Sequence, residues 1–215
     1  MSVKKIVKVW HNGLIISDNI KFLQEKTKNV FFPLTESSNS IINDLIDTYK
    51  KTPCAGIAAN QIGYEYQIFI GMKELADIEN QKDIEKAEAE LTDANGNPHG
   101  DNYEVYINPQ IDKFDKKSIN QDEEGCLSIP GLLVDRERYD IIKIRYYNIS
   151  GQVKKITMSG FLSKLFQHEI DHLNGILMID EIDKLDNVSP SEVTKENIKK
   201  YTSLYSQYCN INNSQ

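Results

Sequence analysis

Cysteine, histidine and proline are scarce in this chain of 215 residues, at three, four and six. Cys54, Cys126 and Cys209 are too few, and odd in number, to make a disulfide framework. Covalent staples are therefore excluded as the basis of the fold, and a reducing compartment is indicated. The cytoplasm is the expected location, with an organelle as the alternative. No run approaches 18 apolar residues, which excludes a membrane-spanning helix. The opening MSVKKIVKVWHNGLII has neither a long hydrophobic segment nor a small-residue cleavage site, so no secretory signal is expected. A basic block is also missing. With 25 Lys and Arg against 32 Asp and Glu the net charge is -7, and no direct nucleic-acid binding is expected.

What is there reads as one domain over 1–215, with a charged insert at about 73–102 and a polar tail from about 187. Residues 3–34 give no clear periodicity. Ile41, Ile42, Leu45, Ile46 and Tyr49 recur at helical spacing, with Asp44 and Asp47 assigned to the polar side, and Pro53 should stop that helix by Thr52. Tyr66 to Ile70 reads as a buried strand. Residues 73–93 carry eight acidic and three basic side chains on thin apolar support, which reads as a solvated helical excursion. The turn-rich DANGNPHGDN follows. YEVYIN is strand-like and should end at Pro109. Ile142, Ile144 and Tyr146 alternate with Lys143 and Arg145, predicting a hairpin that turns at Asn148 to Gly151. Phe161, Leu162, Leu165, Phe166, Ile170 and Leu173 predict a helix with Ser159 as its cap and Gly175 as its stop. The final NINNSQ reads as frayed.

That last helix carries His168-Glu169-Ile170-Asp171-His172, an HExxH segment. Residues at i and i+4 share a helix face, so the two imidazoles can meet one cation while Glu169 reaches a water beside it. Asp171 is a candidate to orient one of the rings. No histidine lies downstream. Asp180 and Glu181 are unconvincing third ligands, and Cys126 in QDEEGCLSIPG is the attractive one, because a thiolate binds far better than a stray hydroxyl. Two imidazoles and a thiolate leave a fourth position, where a metal would lower the pKa of water toward neutrality. Attack on a carbonyl then needs donors for the developing oxyanion. The Gln61 amide and the Leu127 backbone N–H are the candidates. Gly56, Ala58 and Ala59 are small enough to let a substrate backbone lie close.

Three segments stand in order: GIAANQ at 56–61, EGCLS at 124–128 and HEIDHLNG at 168–175. Together they resemble the peptide deformylase family over about residues 40–182. The resemblance implies an α+β fold, antiparallel sheets around a central helix that carries HExxH. It implies Cys126, His168 and His172 as metal ligands and Glu169 as the proton-transfer residue. Gln61 and the Leu127 N–H would stabilise the oxyanion, and Gly56 would contact substrate. Arg136 would pair with Glu124 and hold the loop bearing Cys126. The implied cofactor is one divalent ion, ferrous iron by preference, with Zn2+, Ni2+ or Co2+ able to replace it. The implied reaction removes the N-formyl group from the initiator methionine of nascent polypeptides near the ribosome, by a monomer or homodimer, releasing formate. Ile57, Ile129 and Leu165 are expected to wall the methionine pocket. Two residues depart from the family pattern: Cys54 stands where a glycine is expected, and Asn60 where proline or threonine is commoner. An HExxH peptidase, and a weak homologue acting as a binding or redox-sensing protein through Cys54 and Cys126, are the alternative readings.

Overall fold

The structure, a computed structural model, describes residues 2–73, 96–180, 188–190 and 194–212. The acidic part of the insert thus lies outside the described residues. Two short strands, β1 (Trp10–His11) and β2 (Leu14–Ile15), lead into helix α1 (Ser17–Leu23) and then α2 (Glu36–Lys51). Thr35 caps α2 by accepting the Ser38 N–H, and the helix ends at Thr52, before Pro53, as expected. Its apolar stripe of Ile41, Ile42, Leu45 and Tyr49 is buried. Asp44 departs from the expected polar face. It is buried, and accepts the Tyr64 hydroxyl at 2.5 Å and the Lys4 ammonium at 3.2 Å.

Five antiparallel strands form the larger sheet, in the order β3 (Gly56–Ala58), β4 (Ile68–Met72), β5 (Tyr103–Phe114), β8 (Ile141–Tyr147) and β9 (Val153–Ser159). The expected hairpin is β8–β9, with Ile142, Ile144 and Tyr146 buried and Lys143 and Arg145 exposed. Strand β5 does not stop at Pro109. It continues to Phe114 past an irregularity between Ile107 and Gln110, where Asn108 adopts a φ of 47°. The Asn108 side chain there bonds both the N–H and the carbonyl of Val30, so the proline is absorbed as a bulge. A second sheet pairs β6 (Ile119–Cys126) with β7 (Ile129–Tyr139), and β7 with β10 (Val188–Pro190).

Helix α3 (Gly160–Leu173) carries the HExxH segment and packs on strands of both larger sheets. Ser159 occupies the cap position but makes no capping hydrogen bond. The start of α3 is instead tied to the end of β7. Ser163 Oγ and Gln167 Nε2 both donate to the Tyr139 carbonyl, at 2.7 and 2.8 Å. Gly175 ends the helix with φ at +76°, and a Cβ there would run into the Gln24 carbonyl. Within the polar tail, helix α4 (Lys195–Asn212) turns Leu204, Tyr205 and Tyr208 into a cluster with Val9, Trp10 and Leu132. The Tyr208 hydroxyl and Gln24 Nε2 both donate to Asp180.

Candidate metal centre

His168 and His172 lie one turn apart on α3, ring centroids 4.9 Å apart. The short turn between β6 and β7 brings Cys126 to them, with Sγ 3.1 Å from His172 Nε2. One donor atom from each of the three residues lies within 4.8 Å of the others, which fits a single cation with two nitrogens and one sulfur. Burial alone would push the Cys126 thiol up, but the imidazoles of His172 and His168 outweigh it and hold it well below its ordinary value. The thiol is thus biased toward the thiolate that a metal requires.

Behind His168 stands an ion-pair network around the buried Arg138. His168 Nδ1 is 3.0 Å from Glu124 Oε2, which leaves Nε2 for the cation. Arg138 grips Glu124 with two bonds, at 2.5 and 2.9 Å, and donates to Asp171 at 2.6 Å. Despite burial, Arg138 and His168 hold the Glu124 carboxyl well below the usual range. This corrects the expected Arg136–Glu124 pair. Arg136 donates instead to the Met178 carbonyl at 2.9 Å. Both arginines are on one face of β7. Asp171 lies within ion-pair reach of both, 2.6 Å from Arg138 and 4.0 Å from Arg136, but Arg138 alone bonds Glu124. Asp171 accordingly fixes the arginine and not, as expected, an imidazole.

Glu169 points toward the other side. It is 2 % exposed, and a Cβ on Gly56 would fall 2.6 Å from its Oε1, so only glycine leaves it room. Among the described residues its Oε2 has no hydrogen-bond partner. Burial pushes its pKa up to about 7, partly opposed by His168 and His172. Gln61, on a 3-10 turn over Ala59–Ile62, accepts the Ala58 N–H at 2.9 Å. That bond fixes the amide so that Nε2 faces Cys126 Sγ at 3.5 Å and Ser128 Oγ at 3.2 Å.

A cavity of about 620 Å3 opens onto this constellation, lined by Gly56, Gln61, Leu127, Ile129, Leu165 and Glu169 among others. Ile57, expected in its wall, is absent from it. Strand alternation turns Gly56 to the cavity and Ile57 into the core with Ile41 and Ile70. Cys54 does line the cavity, but burial and the neighbouring Glu169 push its thiol up, the opposite of Cys126. Sequence reasoning missed Arg138, and it missed Ser128, which is fully buried against Gln61. The serine sits two residues past the cysteine, and only its bond to Gln61 distinguishes it from an ordinary turn serine.

Comparison with known proteins agrees with this geometry. The family model for polypeptide deformylase matches residues 13–188. A peptide deformylase of Elusimicrobium minutum is 36% identical over 207 residues, covering 96% of this chain and 100% of the relative. One from Novosphingobium aromaticivorans is 30% identical over 181 residues, covering 80% and 92%. Among solved structures, peptide deformylase from Thermotoga maritima matches with a TM-score of 0.64 at 27% identity, over 86% of this chain and 100% of that one. The enzyme from Ehrlichia chaffeensis shares the fold, with a TM-score of 0.66 at 23% identity over 97% and 98%. The mixed helix and antiparallel-sheet architecture, the cysteine–histidine cluster and these similarities together place the chain in the peptide deformylase family.

Proposed function

We propose that this chain hydrolyses the formyl amide of N-formylmethionyl peptides, releasing formate and a free amine. The observation that carries the reading is the convergence of Cys126, His168 and His172, with Glu169 and Gln61 facing the same cavity. The three donors would hold one divalent ion, with ferrous iron as the proposed resident and zinc, nickel or cobalt suited to the same nitrogen and sulfur set. When bound, that ion supplies Lewis acidity to water and to the formyl oxygen.

The chain's own residues supply the rest. Glu169 accepts a proton from the attacking water and passes it to the amine nitrogen as the C–N bond breaks. A carboxyl whose pKa lies near 7 suits both halves of that transfer. Gln61 Nε2, fixed by the Ala58 bond, and the Leu127 N–H donate to the oxygen that becomes negative as the formyl carbon turns tetrahedral. Gly56 leaves room for Glu169 and for a substrate backbone. Ile129 and Leu165, both on the cavity wall, receive the methionine side chain.

The proposal extends to a single catalytic domain built around α3 as its central helix, which its packing on both larger sheets supports. It acts on nascent chains near the ribosome in the cytoplasm, as a monomer or homodimer. Among the described residues no helix is long and apolar enough to cross a membrane. A peptidase with a different third ligand lacks support where Cys126 lies against both histidines. A Cys54–Cys126 redox pair lacks it where the two thiols are pushed in opposite directions. The test is turnover of a formyl-methionyl peptide by anaerobically purified, iron-loaded protein, with metal measured on the same sample. Turnover at about one ion per chain is expected; a fully loaded protein without turnover overturns the reading.

A further inference from the structure

Besides Glu169 Oε2, two buried polar atoms at the metal cluster lack hydrogen-bond partners among the described residues: Asn60 Oδ1 and His172 Nδ1. They belong to residues already in contact. Asn60 is 1 % exposed, and its Nδ2 donates to the backbone carbonyl of His172 at 2.6 Å. Since that carbonyl can only accept, the amide cannot be flipped end for end, and Oδ1 remains its free acceptor. His172 faces Cys126 through Nε2. When Nε2 serves a cation, the neutral ring must carry its proton on Nδ1, which becomes a buried donor. A lone acceptor and a lone donor on hydrogen-bonded neighbours each incur a desolvation cost that pairing removes.

We propose that Asn60 is a positioning residue for the metal centre. Its amide holds the His172 main chain through Nδ2 and accepts the ring Nδ1–H through Oδ1, a small rotation of the amide or one bridging water closing the gap. This rests on the reading of Cys126, His168 and His172 as ligands, and gives His172 the outer acceptor that Glu124 gives His168. One 3-10 turn thereby reaches two ligands with consecutive residues, Gln61 to Cys126 and Asn60 to His172. A proline at position 60 offers neither bond, and a threonine offers one hydroxyl where the amide offers a separate donor and acceptor, so the departure noted in the sequence has a function in this chain.

Two variants separate the ring contact from the main-chain contact. Asn60→Leu removes both, whereas Asn60→Asp loses the donor and keeps an acceptor. Zn2+ affinity is read by competition with a chelator, and the cobalt form by its visible spectrum. Asn60→Leu should bind about 10–100-fold more weakly with shifted cobalt bands, and Asn60→Asp should stay within about threefold of the parent. Unchanged affinity in Asn60→Leu overturns the proposal. So does equal weakening in both variants, which would assign the whole effect to the main-chain bond. Should Asn60→Leu not fold, nitrogen-resolved NMR of the zinc-loaded parent decides. A slowly exchanging His172 Nδ1–H supports the assignment, and rapid exchange overturns it. A parent that fails to bind one ion per chain would instead overturn the metal-centre reading itself.

Discussion

Glu169 is buried and the Glu124 side chain is 11% exposed, and both act on the electrostatics of His168, yet the protein keeps them in opposite states. Glu124 meets Arg138 and the His168 ring, and its carboxyl is held well below the ordinary range. Among the described residues Glu169 meets no cationic side chain beyond the histidines; one oxygen is confined beside Gly56, the other has no hydrogen-bond partner there, and burial lifts it to about 7. Burial alone would raise both, so the difference in direction lies chiefly in the partner. A carboxylate gripped by a guanidinium is a permanent anion that orients a ligand, and one left among apolar groups is free to take up and release a proton.

The contrast is broken most severely by removing the unpaired member. Glu169→Ala should lose about 10²–10⁴-fold in turnover of a formyl-methionyl peptide while keeping its metal. Metal content and rate measured on one sample check this, and a variant that kept its rate would remove Glu169 from the chemistry. The paired member is tested through its cation. Arg138→Met leaves Glu124 largely buried without its guanidinium, which should cost about 3–5 kcal/mol of stability by denaturant melts and weaken metal binding about 10–100-fold through His168. Arg136→Met should do less on both counts, since Arg136 does not grip Glu124. Equal effects would mean that the two arginines act as one unit.

How far the site was legible follows from the same residues. The ligands and Glu169 could be read because helix spacing and a cysteine in a tight turn are local patterns. Which arginine meets Glu124 is not local: Arg136 and Arg138 share a strand face and both approach Asp171, and only the folded structure gives Glu124 to Arg138 and the Met178 carbonyl to Arg136. Ile57 was legible in principle, because a strand with Gly56 facing the cavity must turn its next residue away. The hairpin β8–β9 was plain from alternation, whereas Pro109 misled because the bulge depends on Asn108 bonding to Val30 across the fold. The terminal helix was obscured by its polar composition. Leu204, Tyr205 and Tyr208 do recur at helical spacing, but what makes them a buried face is the N-terminal segment with Val9 and Trp10, distant in sequence.

Gly56→Ala sharpens the comparison without removing a charge. The new Cβ would meet Glu169 Oε1 at 2.6 Å and Leu165 Cδ1 at 3.0 Å, so the carboxylate must shift. Turnover should fall by roughly 10–100-fold, as displacement of a proton-transfer group by a fraction of an ångström commonly does. Metal affinity should stay near that of the parent, because the His168–Glu124–Arg138 side is untouched. Parallel loss of metal would show that the two sides of the site are not independent.

Asp44 supplies a smaller test at a distance from the metal. It too is buried, and burial alone would raise its pKa, but the Tyr64 hydroxyl and the Lys4 ammonium prevail and lower it. If partners and not depth decide a carboxylate's state, Asp44 must behave like Glu124. A folded-state pKa below the unfolded value of about 3.9 stabilises the protein at pH above that value. The contribution is then lost as pH falls through the folded value. Asp44→Asn should therefore lower the melting temperature by about 2–4 °C near neutrality, the shift expected for about 1 kcal/mol in a chain of this size. The gap between variant and parent should narrow below about pH 4. A gap that widened in acid would mean that Asp44 is already protonated in the folded protein, and that burial can overrule a tyrosine and a lysine together.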